Sequence, residues 1–150
     1  MKAEELMTKY AMAAHVENGA FVEKHYEDNS GNRAASGSIY YYVAPGEYTE
    51  FHRIDCDEYW SFVQGSPLEI CIVNEDGLIE IKKLGVDADS DPLVYLRKGV
   101  IFASRSLSEN DEGSFLICIT VPRFQYEGFE LFTKEHMIKE YPDIKDIWYQ

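Results

Sequence analysis

At 150 residues the chain has the length of one domain and can bury a core without disulfide or metal staples. Its composition, 45% hydrophobic and 27% charged, is that of a folded globular chain and excludes a disordered or collagen-like one. The 27 acidic side chains against 14 basic ones give a formal net charge of −13, which repels phosphate backbones and anionic lipid and so argues against nucleic-acid and membrane partners.

The first residues, MKAEELMTKYAMAAH, carry Glu4 and Glu5 and lack the apolar run of a signal peptide. No stretch nears the ~20 apolar residues that span a bilayer, so a cytoplasmic protein is expected. Ala3, Leu6, Met7, Tyr10 and Ala14 recur at helical spacing and predict a short amphipathic helix over 3–14. The period then changes to that of strands. Strands are expected at Phe21–Tyr26 and Ser38–Val43, with a loop at Ser30–Asn32 and a turn at Ala44–Gly46. Leu68–Val73 and Ile79–Lys82 flank Asn74-Glu75-Asp76-Gly77, a hairpin turn in which glycine supplies a positive φ. After an acidic loop over 87–92, further strands are expected at Leu93–Leu96, Val100–Ala103 and Phe115–Val121. Thr133 is placed to cap a last helix that Tyr141-Pro142 would end. About ten short strands with helices only at the ends indicate an all-β sandwich or barrel. The expected organisation is a single domain: helix 3–14, barrel 19–132, helical tail 133–150. The three cysteines, Cys56, Cys71 and Cys118, are odd in number and lack CxxC spacing, which points to buried thiols.

One segment carries chemistry. Gly46 to Gly65 reads as glycine, five residues, His52, one residue, Ile54, three residues, Glu58, six residues, glycine. This spacing resembles the first cupin motif, which supplies metal ligands from two histidines and a glutamate; Ile54 replaces the second histidine. A second cupin motif is matched at Arg97–Ser106, with Phe102 at its histidine position and Ser106 at its asparagine position. A divalent ion, if bound, would rest on His52 and Glu58, fewer than the three or four ligands protein sites use. No cofactor is otherwise indicated.

Six pieces in order extend the resemblance across residues 6–142. They are His15–Tyr26, Ser38–Glu47, Phe51–Trp60, Gly65–Glu69, Lys98–Arg105 and Cys118–Leu131. Together they resemble the cupin_5 (DUF985) family of the RmlC-like superfamily. The resemblance implies a jelly-roll β-barrel (double-stranded β-helix), a homodimer, and a pocket in the barrel mouth. The sequence departs from the family at Val16, Asn18, Val22 and Ile101.

His52 is the leading candidate catalytic group, because imidazole titrates near neutrality. Glu58 would orient it or act with it as an acid/base pair, or else form a salt bridge with Arg53 or Arg105. Strand alternation turns Arg53 to the opposite face and puts Glu58, Trp60 and Phe62 on one face, with Trp60 lining the interior. Tyr40 and Tyr42 are expected at the pocket or an interface, with Tyr41 packed between sheets alongside Ile39 and Val43. Phe102 and Cys118 complete the substrate-binding set with Arg105, whose planar fork suits a carboxylate or phosphate. Cys118 is also a packing residue by its mid-strand position. His15, His25 and His136 lack ligand spacing and are read as structural or solvated. Three functions stand: a metal-independent isomerase or epimerase using His52 and Glu58 on a small molecule, a non-catalytic ligand-binding or sensing module, and a metal-dependent cupin with a reduced ligand set.

Overall fold

A computed structural model describes residues 1–26, 31–108 and 111–149; Ser30 of the expected loop lies outside them. Helix α1 (Ala3–Lys9) is shorter than its periodicity suggests. It ends in a Schellman turn. The Ala11 N–H donates to the Thr8 carbonyl at 3.1 Å and the Met12 N–H to the Met7 carbonyl at 3.2 Å, with Ala11 at φ 51°. The reversal frees the next residues to pair, so β1 (Ala13–Ala14) joins β2 (Ala20–Tyr26) where helix was expected.

The strands continue as β3 (Gly37–Val43), β4 (His52–Ile54), β5 (Asp57–Gly65), β6 (Leu68–Val73) and β7 (Ile79–Leu84), then β8 (Leu93–Leu96), β9 (Ile101–Ser106), β10 (Ser114–Val121) and β11 (Phe129–Leu131). The β6–β7 hairpin turns at Asn74–Gly77 as its sequence requires, with Gly77 at φ 83°. Strand order is β1-β2-β3-β10-β5-β8 in one sheet and β11-β4-β9-β6-β7 in the other, with antiparallel pairing throughout. The fold is the expected all-β jelly roll. Its two sheets face each other through side chains and are not closed by hydrogen bonds, so of the expected sandwich or barrel it is the sandwich form of the jelly roll.

Side chains from both inner faces build the main core, among them Tyr41, Trp60, Ile70, Leu96, Phe102 and Leu116. The two ends cover outer faces. Helix α1 lies over Tyr42 and Phe115. Helices α2 (Lys134–Glu140) and α3 (Ile144–Ile147) bury Met137, Ile144 and Trp148 against Phe51, Cys71 and Ala103 of the five-stranded sheet. Thr133 caps α2 as its position suggests, its Oγ1 accepting from the His136 N–H at 3.1 Å. The cavity lies between the two sheets, lined by strands of both.

Candidate functional site

A cavity of about 300 Å³ opens between the sheets. The six-stranded sheet contributes Tyr41, Glu58, Trp60 and Cys118 to its walls, and the five-stranded sheet contributes His52, Ile54 and Phe129. The turn between β1 and β2 adds His15 and Glu17, and the segment after β10 adds Arg123, Phe124 and Tyr126.

His52 pairs in register with Phe102 on β9 and Leu131 on β11, so its ring projects inward. It is 3% exposed, stacked 5.5 Å from the Phe129 ring and 4.2 Å from that of Phe102. Its Nδ1 lies 2.8 Å from the Glu50 carbonyl oxygen, which can only accept, so the network assigns a proton to Nδ1. Its Nε2 lies 2.7 Å from Glu17 Oε2. His52 and Glu17 therefore form a buried ion pair. Burial pushes the imidazole down, but the charge and contact of Glu17, the Glu50 carbonyl and the charge of Glu58 outweigh it and hold His52 above its ordinary value.

Glu17 is only 6% exposed. The chain reaches it through a tight reversal in which Asn18 and Gly19 both take positive φ, 76° and 77°. Tyr41 Oη closes the reversal by donating to the Asn18 carbonyl at 2.8 Å. The Glu17 N–H donates to His15 Nδ1 at 3.2 Å, which makes His15 a neutral acceptor there. Burial lowers His15 further, against the pull of Glu17. Despite the short approach of His52, Glu17 Oε2 receives no well-aligned hydrogen bond.

Glu58 stands on the facing sheet, 7% exposed, with Thr120 and Leu96 as its cross-strand neighbours. Trp60 Nε1 donates to its Oε1 at 2.6 Å. Burial raises its carboxyl to about 7; Glu17 adds to the rise, while the Trp60 hydrogen bond and His52 oppose it.

The structure thus brings His52, Glu58, Trp60 and Cys118 to one cavity. Phe102 stands behind His52 in the core. Tyr40, Tyr42 and Arg105 lie elsewhere, which corrects their expected placement at the pocket. The more apolar alternate set, Ile39, Tyr41 and Val43, does pack between the sheets, and Tyr41 rather than its neighbours lines the cavity. Tyr42 and Tyr40 point to the outer face under α1, where Tyr42 Oη donates to Glu4 Oε1 at 2.9 Å. Arg105 holds the C-terminal tail: it donates to Glu69 Oε1 at 2.9 Å and to the Trp148 carbonyl at 3.0 Å, with its guanidinium 4.3 Å over the Trp148 ring. Arg53 faces outward as alternation requires and pairs with Glu130 at 3.0 Å, so neither arginine meets Glu58. Cys56 is buried with its thiol pushed up to about 12, so it is no nucleophile. The cavity also takes in His15, which lacks ligand spacing in the sequence, and Glu17, to which the sequence assigns no role. Their available cue was the His15–Gly19 segment already aligned with the family.

The donors do not fit a divalent ion. Ile54 and Phe102 occupy two ligand positions of the cupin motifs, and both His52 nitrogens are engaged by Glu50 and Glu17. Among the described residues no three His, Cys, Asp or Glu side chains converge as a metal site. An ion here would need donors from outside this set.

Two facing antiparallel sheets in jelly-roll order, with His52 and Glu58 of the spaced motif between them, are the arrangement of a cupin. The chain belongs to the family described as Cupin_5: Cupin superfamily (DUF985), which it matches over residues 4–132. A Shewanella oneidensis protein solved by X-ray crystallography is 30% identical, with a TM-score of 0.90 over 98% of this chain and 94% of that one. A hypothetical protein from Leishmania major is 27% identical, with a TM-score of 0.81 over 95% of this chain and 94% of its own. Oxalate decarboxylase from Bacillus subtilis, in its structure at pH 4.6, shares the fold at 17% identity and a TM-score of 0.63, over 86% of this chain and 34% of that one. The comparison with curated proteins found no match.

Proposed function

We propose that this cupin is a metal-independent enzyme of the isomerase or epimerase type that moves a proton on a small molecule held between the sheets. The observation that carries the reading is the buried Glu17–His52 pair, 2.7 Å apart in the cavity wall. Both ring nitrogens of His52 are engaged, so imidazole does not reach a substrate atom directly. The proton leaves and enters through Glu17, and His52 stands behind it as its buried charge partner. This inverts the order expected from the sequence, in which His52 met the substrate and Glu58 oriented it. A carboxylate backed by an imidazolium can take a proton from carbon next to a carbonyl and return it, with the dry walls of Trp60, Phe129 and Tyr41 excluding water. A pocket of this size, mostly apolar with few convergent polar groups, suits a small ligand.

The test is carbon-bound hydrogen exchange. Pools of enolisable metabolites are incubated with the protein in D₂O and followed by NMR. We expect deuterium incorporation into at least one compound, reduced on the order of 100-fold or more in Glu17→Gln and strongly in His52→Gln. Exchange that survives Glu17→Gln at full rate would remove Glu17 from the chemistry. Binding without exchange would leave the protein as a ligand-binding module, the reading that the aromatic lining favours in that event.

A further inference from the structure

The charges in the cavity wall do not balance. Glu17, Glu23 and Glu58 face two cations, His52 and Arg123. Each cation is already matched: His52 to Glu17 at 2.7 Å, and Arg123 to Glu23 at 2.6 Å with its guanidinium 3.4 Å from the Tyr26 ring. Glu58 is left over, buried, with the Trp60 N–H on Oε1 and no cation on either oxygen among the described residues. Glu17 Oε2 has His52 Nε2 at 2.7 Å, so its charge is matched although the contact is not a well-aligned hydrogen bond. Around these groups stand the rings of Phe124, Tyr126 and Phe129, with centroids 5.1 to 6.2 Å apart, and their faces are electron-rich. A buried carboxyl with no cation on it and a wall of aromatic faces share one preference, for a positive charge, whose arrival would favour the ionised form of Glu58.

We propose that the ligand of this cavity is a small organic cation, an ammonium group on a compact apolar body, with the ammonium held by Glu58 and the apolar part against the aromatic wall. The inference rests on the reading of the cavity as a ligand site and adds the class of ligand. An ammonium on Glu58 would leave the neighbouring carbon for Glu17, which lines the same cavity. Among the described residues no cation in the wall is free to meet a phosphate or a carboxylate, so anions are not favoured here.

Three probes of similar shape separate the possibilities: benzyltrimethylammonium, benzyl alcohol and phenylacetate, each titrated into the full chain by calorimetry at one ionic strength. Benzyltrimethylammonium is expected to bind at least tenfold more tightly than benzyl alcohol, with phenylacetate the weakest. Glu58→Gln should cost the cation at least fivefold and leave the alcohol unchanged. Equal binding of cation and alcohol, or tighter binding of phenylacetate, overturns the charge assignment while the cavity reading stands. No binding of any probe at millimolar concentration overturns the cavity reading and this inference together. The ranking is read on the unsubstituted protein, so it decides the question even if Glu58→Gln does not fold.

Discussion

Gly19 is the residue on which the placement of Glu17 depends. It adopts φ 77°, and a Cβ built there would lie 2.6 Å from Tyr41 Oη and 2.9 Å from the Tyr42 carbonyl oxygen. The first neighbour is the hydroxyl that closes the turn; the second is backbone and cannot give way. Gly19→Ala should therefore cost on the order of 2 kcal/mol, combining left-handed strain with a steric clash. It should also loosen the turn that seats Glu17 beside His52, and NMR titration should show the His52 imidazole titrating lower than in the parent. An unchanged melting temperature would contradict this account. The prediction marks a limit of sequence reading. His52, Glu58 and Trp60 were legible because they sit on strands consecutive in sequence, within one spaced motif. Glu17 was not, because its partner is 35 positions away and only the folded turn brings them together. Arg105 was misplaced for the converse reason: a planar cation in a β-rich chain suggests a ligand clamp, and nothing local shows that Trp148 and Glu69 have claimed it.

At the scale of elements, the apolar alternation of β6 and the Asn74–Gly77 turn specified that hairpin, and Thr133 marked the start of α2, because both depend on local chemistry. Helix α1 shows where local periodicity fails. Ala14 continues the helical stripe in sequence, yet the chain reverses at Ala11, an alanine in the left-handed position where glycine is the usual choice. The gain from β1 pairing with β2 offsets the strain, and periodicity cannot register that gain. The expected helical tail over 133–150 breaks at Pro142 into α2 and the short α3, whose four residues are too few to show a period of their own. The Ala11 position yields a prediction. Ala11→Gly should stabilise the protein by about 1 kcal/mol, since it relieves the positive φ while the two turn hydrogen bonds remain. Denaturant midpoints of the two proteins decide it; a loss of stability would mean that the alanine methyl makes contacts outweighing the strain.

At the scale of the whole molecule, acidity acts twice, on the surface and inside. The net charge of −13 is spread over the exterior and weakens the compact state through long-range repulsion, which salt screens. Glu58 acts from within the sandwich, where salt does not reach. Its carboxyl rises from its ordinary 4.5 to about 7 through burial, so the folded state holds a proton that the unfolded state has released over that interval. Stability must then fall as pH rises from 4.5 towards 7, and the contribution levels off above it. The full span is worth up to about 3 kcal/mol. His52, held above its ordinary 6.5, adds stability that is present below that value and is lost as pH rises through its folded value. His15, held lower, works in the opposite sense as pH falls below 6.5. A single melting curve would mix all three. The comparison that isolates Glu58 is the parent against Glu58→Gln, in high salt to flatten the surface contribution, with both histidines present in each protein. We expect the stability of the parent relative to Glu58→Gln to decline from pH 4.5 to 7 and then to hold level. Parallel profiles across that range would show that Glu58 ionises in the folded protein as it does in water, and would remove the buried, uncompensated carboxylate on which the cation-binding cavity depends.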